Sequence, residues 1–267
     1  MPDVARMVEQ YRQARSDLKL LDANLWLGRP RPPEFVTSFG LAALQQRMAR
    51  YQITGGVVSH FAALSYGPQW ANAQLLACLA GTGLWATVAL LPEMFYDEER
   101  GRAYLAQAIA GGARLARVFP RSHNFSLRAW CSGRLLHALE ASRLPLVVWH
   151  TEATWDDIRQ VCEAFPHLPV VVEGTPLKIL YYDRLFYPLL EQCPNLRLEL
   201  HNLVNYLGIE DLVHRFGAGR LIFGSNLPVY DPNATIMQIS HARVSSAEKA
   251  LMAHQNLAGL IAGVKQP

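Results

Sequence analysis

The chain has 267 residues, of which 51% are hydrophobic and 18% charged, and its formal net charge is +3. This length suits one barrel-sized domain or two small ones, and the apolar fraction is large enough for an extensive core. The charge is mild and forms no Lys/Arg run, so no nucleic-acid partner is expected. No segment approaches about 18 consecutive apolar residues, so the sequence predicts no membrane span and no membrane partner.

The N-terminus and the cysteines predict a cellular location. The first residues carry charges at helical spacing and lack the apolar segment of a secretory signal. Cys78, Cys131, Cys162 and Cys193 are far apart and lack CxxC spacing, which is typical of free thiols in a reducing compartment. We therefore expect a cytoplasmic protein without a disulfide or zinc framework.

Short apolar segments alternate with helical patterns along the chain, after an exposed leading helix at 3–16. The predicted strands lie at 18–28, 53–61, 84–92, 113–120, 144–150, 168–174, 196–202 and 221–223. The predicted helices lie at 41–52, 69–80, 97–112, 132–142, 154–165, 182–192, 208–216 and 246–262. A proline-rich stretch at 29–33 is predicted to be a loop.

This alternation predicts the fold. Near-continuous apolar strands are typical of parallel sheets that are covered on both faces. Eight strand–helix units in a chain of this length favour a single α/β domain over residues 1–267, a (β/α)8 TIM barrel with a short N-terminal helix at 1–17. A doubly wound open sheet is the alternative.

Polar residues stand at the ends of the predicted strands. In a barrel, these strand ends meet at one rim, where active sites lie, and buried polar groups there need partners. We therefore expect a site at this rim. Its candidate residues are Asn24, Trp26, His60, Arg117, His150, Glu173, Glu199, His201 and Asn226.

Several strand sequences resemble those of the amidohydrolase-related family of metal-dependent TIM-barrel hydrolases and decarboxylases. RLIFGSNLP, at 220–228, resembles the family's last strand and matches at Arg220, Phe223, Gly224, Ser225 and Pro228. LLDANLWLG resembles the first strand, and LPLVVWHTE resembles the fifth. AFPHLPVVVEG follows the family's approach to the sixth strand, and the resemblance extends from 18 to about 262.

The resemblance implies a metal site most of whose usual ligands are replaced here. The two histidines of the first strand fall at Asn24 and Trp26, the last-strand aspartate falls at Asn226, and Glu173 stands where a histidine is common. Only His150 matches in residue type. Catalytic zinc usually has three protein ligands drawn from His, Cys, Asp and Glu. No cofactor is therefore expected by the family pattern.

A relocated zinc site is the alternative to a metal-free site. His150, Glu173 and His201 follow strands five, six and seven, and neighbouring strands lie about 4.8 Å apart. These three side chains would form a zinc set if all of them pointed into the barrel. His201 shares its direction with Glu199, and the sequence leaves open whether both point inward.

The strand-end residues and the family resemblance leave two alternative functions open. The first is a hydrolase or decarboxylase for a small carboxylate-bearing or cyclic substrate, in which His150, Glu173 and His201 are catalytic. Asn24, Trp26, His60, Arg117 and Asn226 would then bind substrate, with Arg117 holding an anionic group unless it pairs with Glu173. The second is an inactive barrel that binds a ligand or partner, in which Trp26 and the loop residues Phe95 and Tyr96 would serve recognition.

Homo-oligomer formation is left open by the sequence. Seven aromatic residues are candidates either for the core or for an interface between copies of the chain. They are Phe125, Trp130, Tyr181, Tyr182, Phe186, Tyr187 and Tyr206.

Overall fold

The structure is a computed structural model that describes residues 3–30, 39–174 and 183–266. Part of the predicted loop at 29–33 lies outside these residues, as do Tyr181 and Tyr182. All structural statements below refer to the described part of the chain.

Eight parallel strands form one sheet in sequence order, from β1 to β8. The strands are β1 Leu20–Leu27, β2 Ile53–His60, β3 Trp85–Ala89, β4 Ala113–Val118, β5 Leu146–Trp149, β6 Val170–Glu173, β7 Leu196–Glu199 and β8 Leu221–Ile222. The ends of the sheet meet, because the Ala23 amide donates to the Phe223 carbonyl at 3.0 Å and the Trp26 amide donates to Leu227 at 2.8 Å. The predicted TIM barrel is confirmed.

Helices follow the strands around the barrel. They are α1 Val4–Ser16, α2 Leu41–Arg50, α3 Ala62–Ser65, α4 Pro68–Leu79, α5 Glu98–Ala110, α6 Ala129–Ser142, α7 Trp155–Ala164, α8 Asp183–Gln192, α9 Gly208–Phe216, α10 Asn233–His241, α11 Ser246–Ala250 and α12 Asn256–Ala262. A π-helical turn, Leu251–Gln255, joins the last two. No helix in the described ranges is long and apolar enough to cross a membrane.

Two helices were not predicted from the sequence, and most predicted strands are longer than the observed ones. The helices are α3, which is one turn long, and α10, whose buried face of Thr235, Ile236 and Ile239 has helical spacing. The predicted strands ran to the polar rim residues, but pairing stops earlier in β5, β6 and β7. The Thr154 hydroxyl accepts a hydrogen bond from the Asp157 amide and begins α7, within the predicted range.

Side chains alternate between the barrel interior and the layer beneath the helices. The interior cluster consists of Leu21, Ala23, Val57, Leu115, Val147, Val171 and Ile222, closed by Leu257, Leu260 and Ile261 near the C-terminus. The larger outer cluster fills the space between strands and helices. A third cluster, including Trp26, Phe61, Phe119 and Trp149, lies towards the strand ends. The interior is therefore filled, and polar groups inside it need partners.

The turn after β8 needs a glycine for close packing. A Cβ atom at Gly224 would lie 2.2 Å from Oε1 of Glu199, whose side chain is fully buried at the end of β7. A side chain here would displace Glu199 from its partners.

We predict that Gly224→Ala lowers the free energy of unfolding by roughly 1–3 kcal/mol, the usual range for overpacking a filled interior. Urea unfolding would measure the loss. Gly219→Ala is the matched control, because a Cβ at Gly219 has no atom within 4 Å. Equal stability of both variants would show that the Glu199 carboxylate tolerates the added methyl group.

Candidate functional site

A buried ion pair spans the mouth of the barrel. The Arg117 side chain, on β4, donates two hydrogen bonds to Glu173, at the end of β6, over 2.6 and 2.8 Å. The pair is almost fully buried, with 1% of Arg117 and none of Glu173 exposed. Arg117 Nε also donates to the Ser59 hydroxyl at 3.2 Å, and Trp149 Nε1 donates to Glu173 at 3.0 Å. Both charges are thus paired and further bonded, as their burial requires.

Two tryptophan rings surround this ion pair. The Arg117 guanidinium carbon lies 4.8 Å from the ring centre of Trp26 and 5.8 Å from that of Trp149. Trp26 stacks in turn on Phe61, with ring centres 4.5 Å apart. These distances are in the range of cation–π attraction, which strengthens when the cation is desolvated. The guanidinium is therefore fixed in position by its neighbours on several sides.

A second chain of hydrogen bonds continues from Trp26. Trp26 Nε1 donates to the Asn24 side-chain oxygen at 2.6 Å, and Asn24 Nδ2 donates to Glu199 at 3.3 Å. The other Glu199 oxygen accepts the His201 backbone amide at 2.7 Å. Glu199 therefore points into the barrel, which decides the direction that the sequence left open. A register shift in β1 between Asp22 and Leu25 accompanies this arrangement.

Asp22 holds the end of β8 against β1. Its Oδ1 accepts the backbone amides of Asn24 at 2.9 Å and Ser225 at 3.0 Å. Burial raises the pKa of Asp22 to about 6, although hydrogen bonds from Ser225 and Asn24 oppose the change. Burial, followed by the nearby charge of Glu173, raises the pKa of Glu199 well above its usual range. Both shifts favour the protonated forms of these buried carboxyls.

His201 lies at the end of the same strand as Glu199. Its side chain is 5% exposed, and its ring is tilted against Tyr230 with centres 4.7 Å apart. Its Nε2 is buried and has no hydrogen-bond partner among the described residues. Burial lowers the pKa of His201 to about 4, so the ring is neutral at pH 7. The arrangement provides a buried, neutral imidazole whose Nε2 makes no hydrogen bond to the described residues.

The other predicted residues lie around this network. His150 follows β5 and is stacked against Trp155 of α7, with ring centres 6.3 Å apart. The side chain of the preceding residue, Trp149, donates its indole N–H to the Glu173 carboxylate. His60 ends β2, and its Nδ1 accepts the Ala62 amide at 3.1 Å. Burial lowers the pKa of His60.

Asn226 is buried after β8 in a left-handed backbone conformation, with φ of 55°. The structure thus joins Asn24, Trp26, Arg117 and Glu173 in one network and places His150 and His60 towards the helices.

The described residues do not fit the metal centre that the resemblance implies. Asn24 already uses its oxygen to accept the Trp26 N–H, and Trp26 offers no lone pair at that nitrogen. Both Glu173 oxygens are bonded to the cationic Arg117. Within 3–30, 39–174 and 183–266, no three His, Cys, Asp or Glu side chains are placed to hold a metal ion. That finding includes the relocated set His150, Glu173 and His201.

Three residues of the site were not among the predicted site residues: Asp22, Ser59 and Trp149. The alternation of side-chain direction along a strand could have predicted two of them. Val57 and Val147 point into the barrel, so Ser59 and Trp149, two residues further on, point the same way. The single-residue difference between Trp149 and His150 depends on where β5 ends, and periodicity fixes that position poorly.

Comparisons with known proteins agree on the fold. No protein-family model and no curated protein matches the sequence. A solved structure of a candidate 2-pyrone-4,6-dicarboxylic acid hydrolase from Pseudomonas putida superimposes with a TM-score of 0.69 at 16% identity, covering 92% of this chain and 98% of that one. The chain has the fold of the amidohydrolase-related barrels.

Two further solved structures share this fold. The 5-carboxyvanillate decarboxylase from Sphingomonas paucimobilis has a TM-score of 0.70 at 12% identity, with 92% of this chain and 99% of that one covered. An amidohydrolase from Burkholderia multivorans with bound zinc has a TM-score of 0.67 at 15% identity, with coverage of 91% and 99%. The strand sequences that resemble this family therefore lie in a barrel of the family's type.

We predict that Arg117→Met lowers the free energy of unfolding by about 3–5 kcal/mol, because Glu173 is left as a buried charge without its partner. The double variant Arg117→Met/Glu173→Leu should recover most of that loss, because it removes both charges. Urea unfolding of the wild type, both single variants and the double variant gives the coupling energy. A double variant as unstable as the sum of the single variants would contradict the pairing.

We also predict a pH-dependent effect of Asp22→Asn. The pKa of Asp22 is higher in the folded than in the unfolded state, so its protonated form stabilises the fold at low pH. That stability is lost as the pH rises through about 6. The variant cannot ionise, so its stability relative to wild type should rise by roughly 3 kcal/mol between about pH 3 and pH 7. Urea unfolding across this range checks it, and parallel profiles would contradict the raised pKa.

Proposed function

We propose that the chain is an amidohydrolase-like enzyme that hydrolyses or decarboxylates a small carboxylate-bearing or cyclic substrate by acid–base chemistry, without the metal centre of that family. The fold supports this proposal, since the solved structures that share it include proteins named as a hydrolase and a decarboxylase. The observation that carries it is the buried, neutral His201, whose Nε2 has no partner among the described residues.

His201 is the proposed catalytic residue. A buried polar atom without a partner is costly, and such atoms are retained where a ligand or reaction uses them. With its pKa lowered to about 4, the imidazole keeps a lone pair at neutral pH. In hydrolysis, Nε2 would take a proton from the water that attacks the substrate carbonyl. In decarboxylation, Nε2 would take a proton from a water molecule and pass it to the carbon whose bond to the carboxylate breaks, and the hydroxide and carbon dioxide would leave as bicarbonate.

Glu199 is the proposed positioning residue for His201. Its carboxyl accepts the His201 amide on one oxygen and the Asn24 side chain on the other. The raised pKa of Glu199 disfavours a negative charge beside the substrate. Arg117 and Glu173 bond to each other in this proposal and fix the floor of the site. His150, His60 and Asn226 remain proposed contacts to substrate at the rim.

We predict that His201→Gln lowers kcat about 100-fold or more, the usual contribution of acid–base catalysis. Compounds named for the structural neighbours, 2-pyrone-4,6-dicarboxylate and 5-carboxyvanillate, are the first substrates, followed by related lactones and aromatic acids. His214→Gln is the matched control, because His214 is exposed on α9. His150→Ala tests the residue that matches the family in type. Unchanged turnover of His201→Gln would overturn the role of His201.

The pH dependence of kcat tests the positioning role of Glu199. Ionisation of Glu199 at high pH would place a charge beside Asn24 and His201, so wild-type kcat should fall on the alkaline side. Glu199→Gln cannot ionise and should keep its kcat across that limb. An unchanged alkaline limb in the variant would contradict the positioning role.

Metal content and turnover together distinguish the proposed enzyme from a relocated zinc site and from an inactive binding barrel. Elemental mass spectrometry of the purified protein should find less than stoichiometric zinc, and added zinc should not raise turnover. Stoichiometric zinc that is lost in His150→Ala or Glu173→Gln would instead support the relocated zinc site. Saturable ligand binding with no turnover across the panel would favour the inactive binding barrel and overturn the enzymatic proposal.

A further inference from the structure

A cavity of about 350 Å³ lies at the opposite end of the barrel, where β6 and β7 begin. Pro169 and Asn195, which directly precede these strands, line it together with Gly259 and Gly263 near the C-terminus. Its charged or titratable lining residues are Arg143, His167 and Arg197, and none of its described lining residues is acidic. The cavity is thus separated from His201 and Glu199 by the length of the strands.

Arg197 reaches this cavity from inside the barrel. Its neighbours on β7, Leu196 and Leu198, belong to the outer cluster, so Arg197 points to the opposite face. Its partner in the neighbouring strand is Val171, a member of the interior cluster. Arg197 is therefore an inward-pointing charge in the lowest layer of the barrel, where the cavity gives it access to solvent.

Arg197 has little compensation for its partial burial. Within the described chain, its side chain makes one protein hydrogen bond, from Nη1 to the Asn195 carbonyl at 3.4 Å, and no ion pair. A guanidinium has five N–H donors, so four remain for solvent or a ligand. Burial and the nearby charge of Arg220 lower the pKa of Arg197, which shows that its surroundings disfavour the cation. An anion in the cavity would balance the charge of Arg197 and accept hydrogen bonds from its remaining N–H groups.

Asn195 adds a polar atom beside Arg197. It is 8% exposed, and its Nδ2 donates to the carbonyls of Cys162, Phe165 and Leu168 at 3.0–3.2 Å. Its Oδ1 is buried and has no partner in the described part of the chain. Asn195 therefore fixes the wall of the cavity to the end of α7 and the segment before β6.

We propose that this cavity is a binding site for a small oxyanion, a phosphate or carboxylate group, held by Arg197 with Arg143 and His167 at its edge. The volume is near the lower end for small-molecule sites, which suits a small anion better than a large ligand. The site is independent of the proposed enzyme function.

Calorimetric titration with inorganic phosphate tests this proposal, with citrate as the carboxylate probe and sodium chloride at matched ionic strength as the control for salt. Wild type should bind one phosphate per chain saturably. Arg197→Met should weaken that binding about tenfold to a hundredfold, because charged hydrogen bonds are lost. The variant should still fold, since it removes an uncompensated charge and keeps an apolar stem. Arg143→Gln, at an exposed edge position, should weaken binding less.

Arg243→Met is the matched control, because Arg243 is exposed and outside the cavity. It should bind phosphate as wild type does. Tighter binding of phosphate than citrate would identify a phosphoryl ligand, and the reverse would identify a carboxylate. Heat no greater than that of chloride in wild type would overturn the proposal, as would equal phosphate affinity in wild type and Arg197→Met.

Discussion

The buried ion pair between Arg117 and Glu173 is the constraint on which the mouth of this barrel depends. A guanidinium inside a protein is tolerated only when its charge is matched and its donors are bonded. Glu173 supplies the charge, Ser59 a further acceptor, and the Trp26 and Trp149 rings the remaining contacts. Arg117 thereby fixes the ends of several strands relative to one another, and the rim residues are positioned on that frame.

The residues at the family's ligand positions are consistent with a fixed cation at the mouth. Trp26 offers a ring face to Arg117 and its N–H to Asn24, while Asn24 passes a hydrogen bond on to Glu199. Together these side chains form a continuous set of contacts. A histidine in place of Trp26 would therefore not complete a metal ligand set, because Arg117 would still occupy both oxygens of Glu173.

The sequence predicted the barrel and its rim because both depend on local patterns. Apolar strands, helix spacing and the polar residues that follow each strand are visible without the fold. The directions of Glu199 and His201 were not predictable, because they depend on barrel closure and on the register shift in β1. The sequence left open whether Arg117 binds an anionic group of the substrate or pairs with Glu173. Trp149 was missed because the predicted strand ended at His150, one residue beyond the end of β5, and the last residue was taken as the rim residue.

The balance of buried charges at the barrel mouth affects the pKa values of its carboxyl groups. Asp22, Glu173 and Glu199 are three fully buried carboxyl groups, whereas Arg117 is the cation that is bonded to one of them. Burial raises the pKa of both Asp22 and Glu199, and the nearby charge of Glu173 adds to the effect. A second cation would oppose this effect by favouring the ionised carboxylates. A mouth with one fixed cation and three buried carboxyls therefore favours bound protons, which suits the acid–base chemistry that we propose for His201.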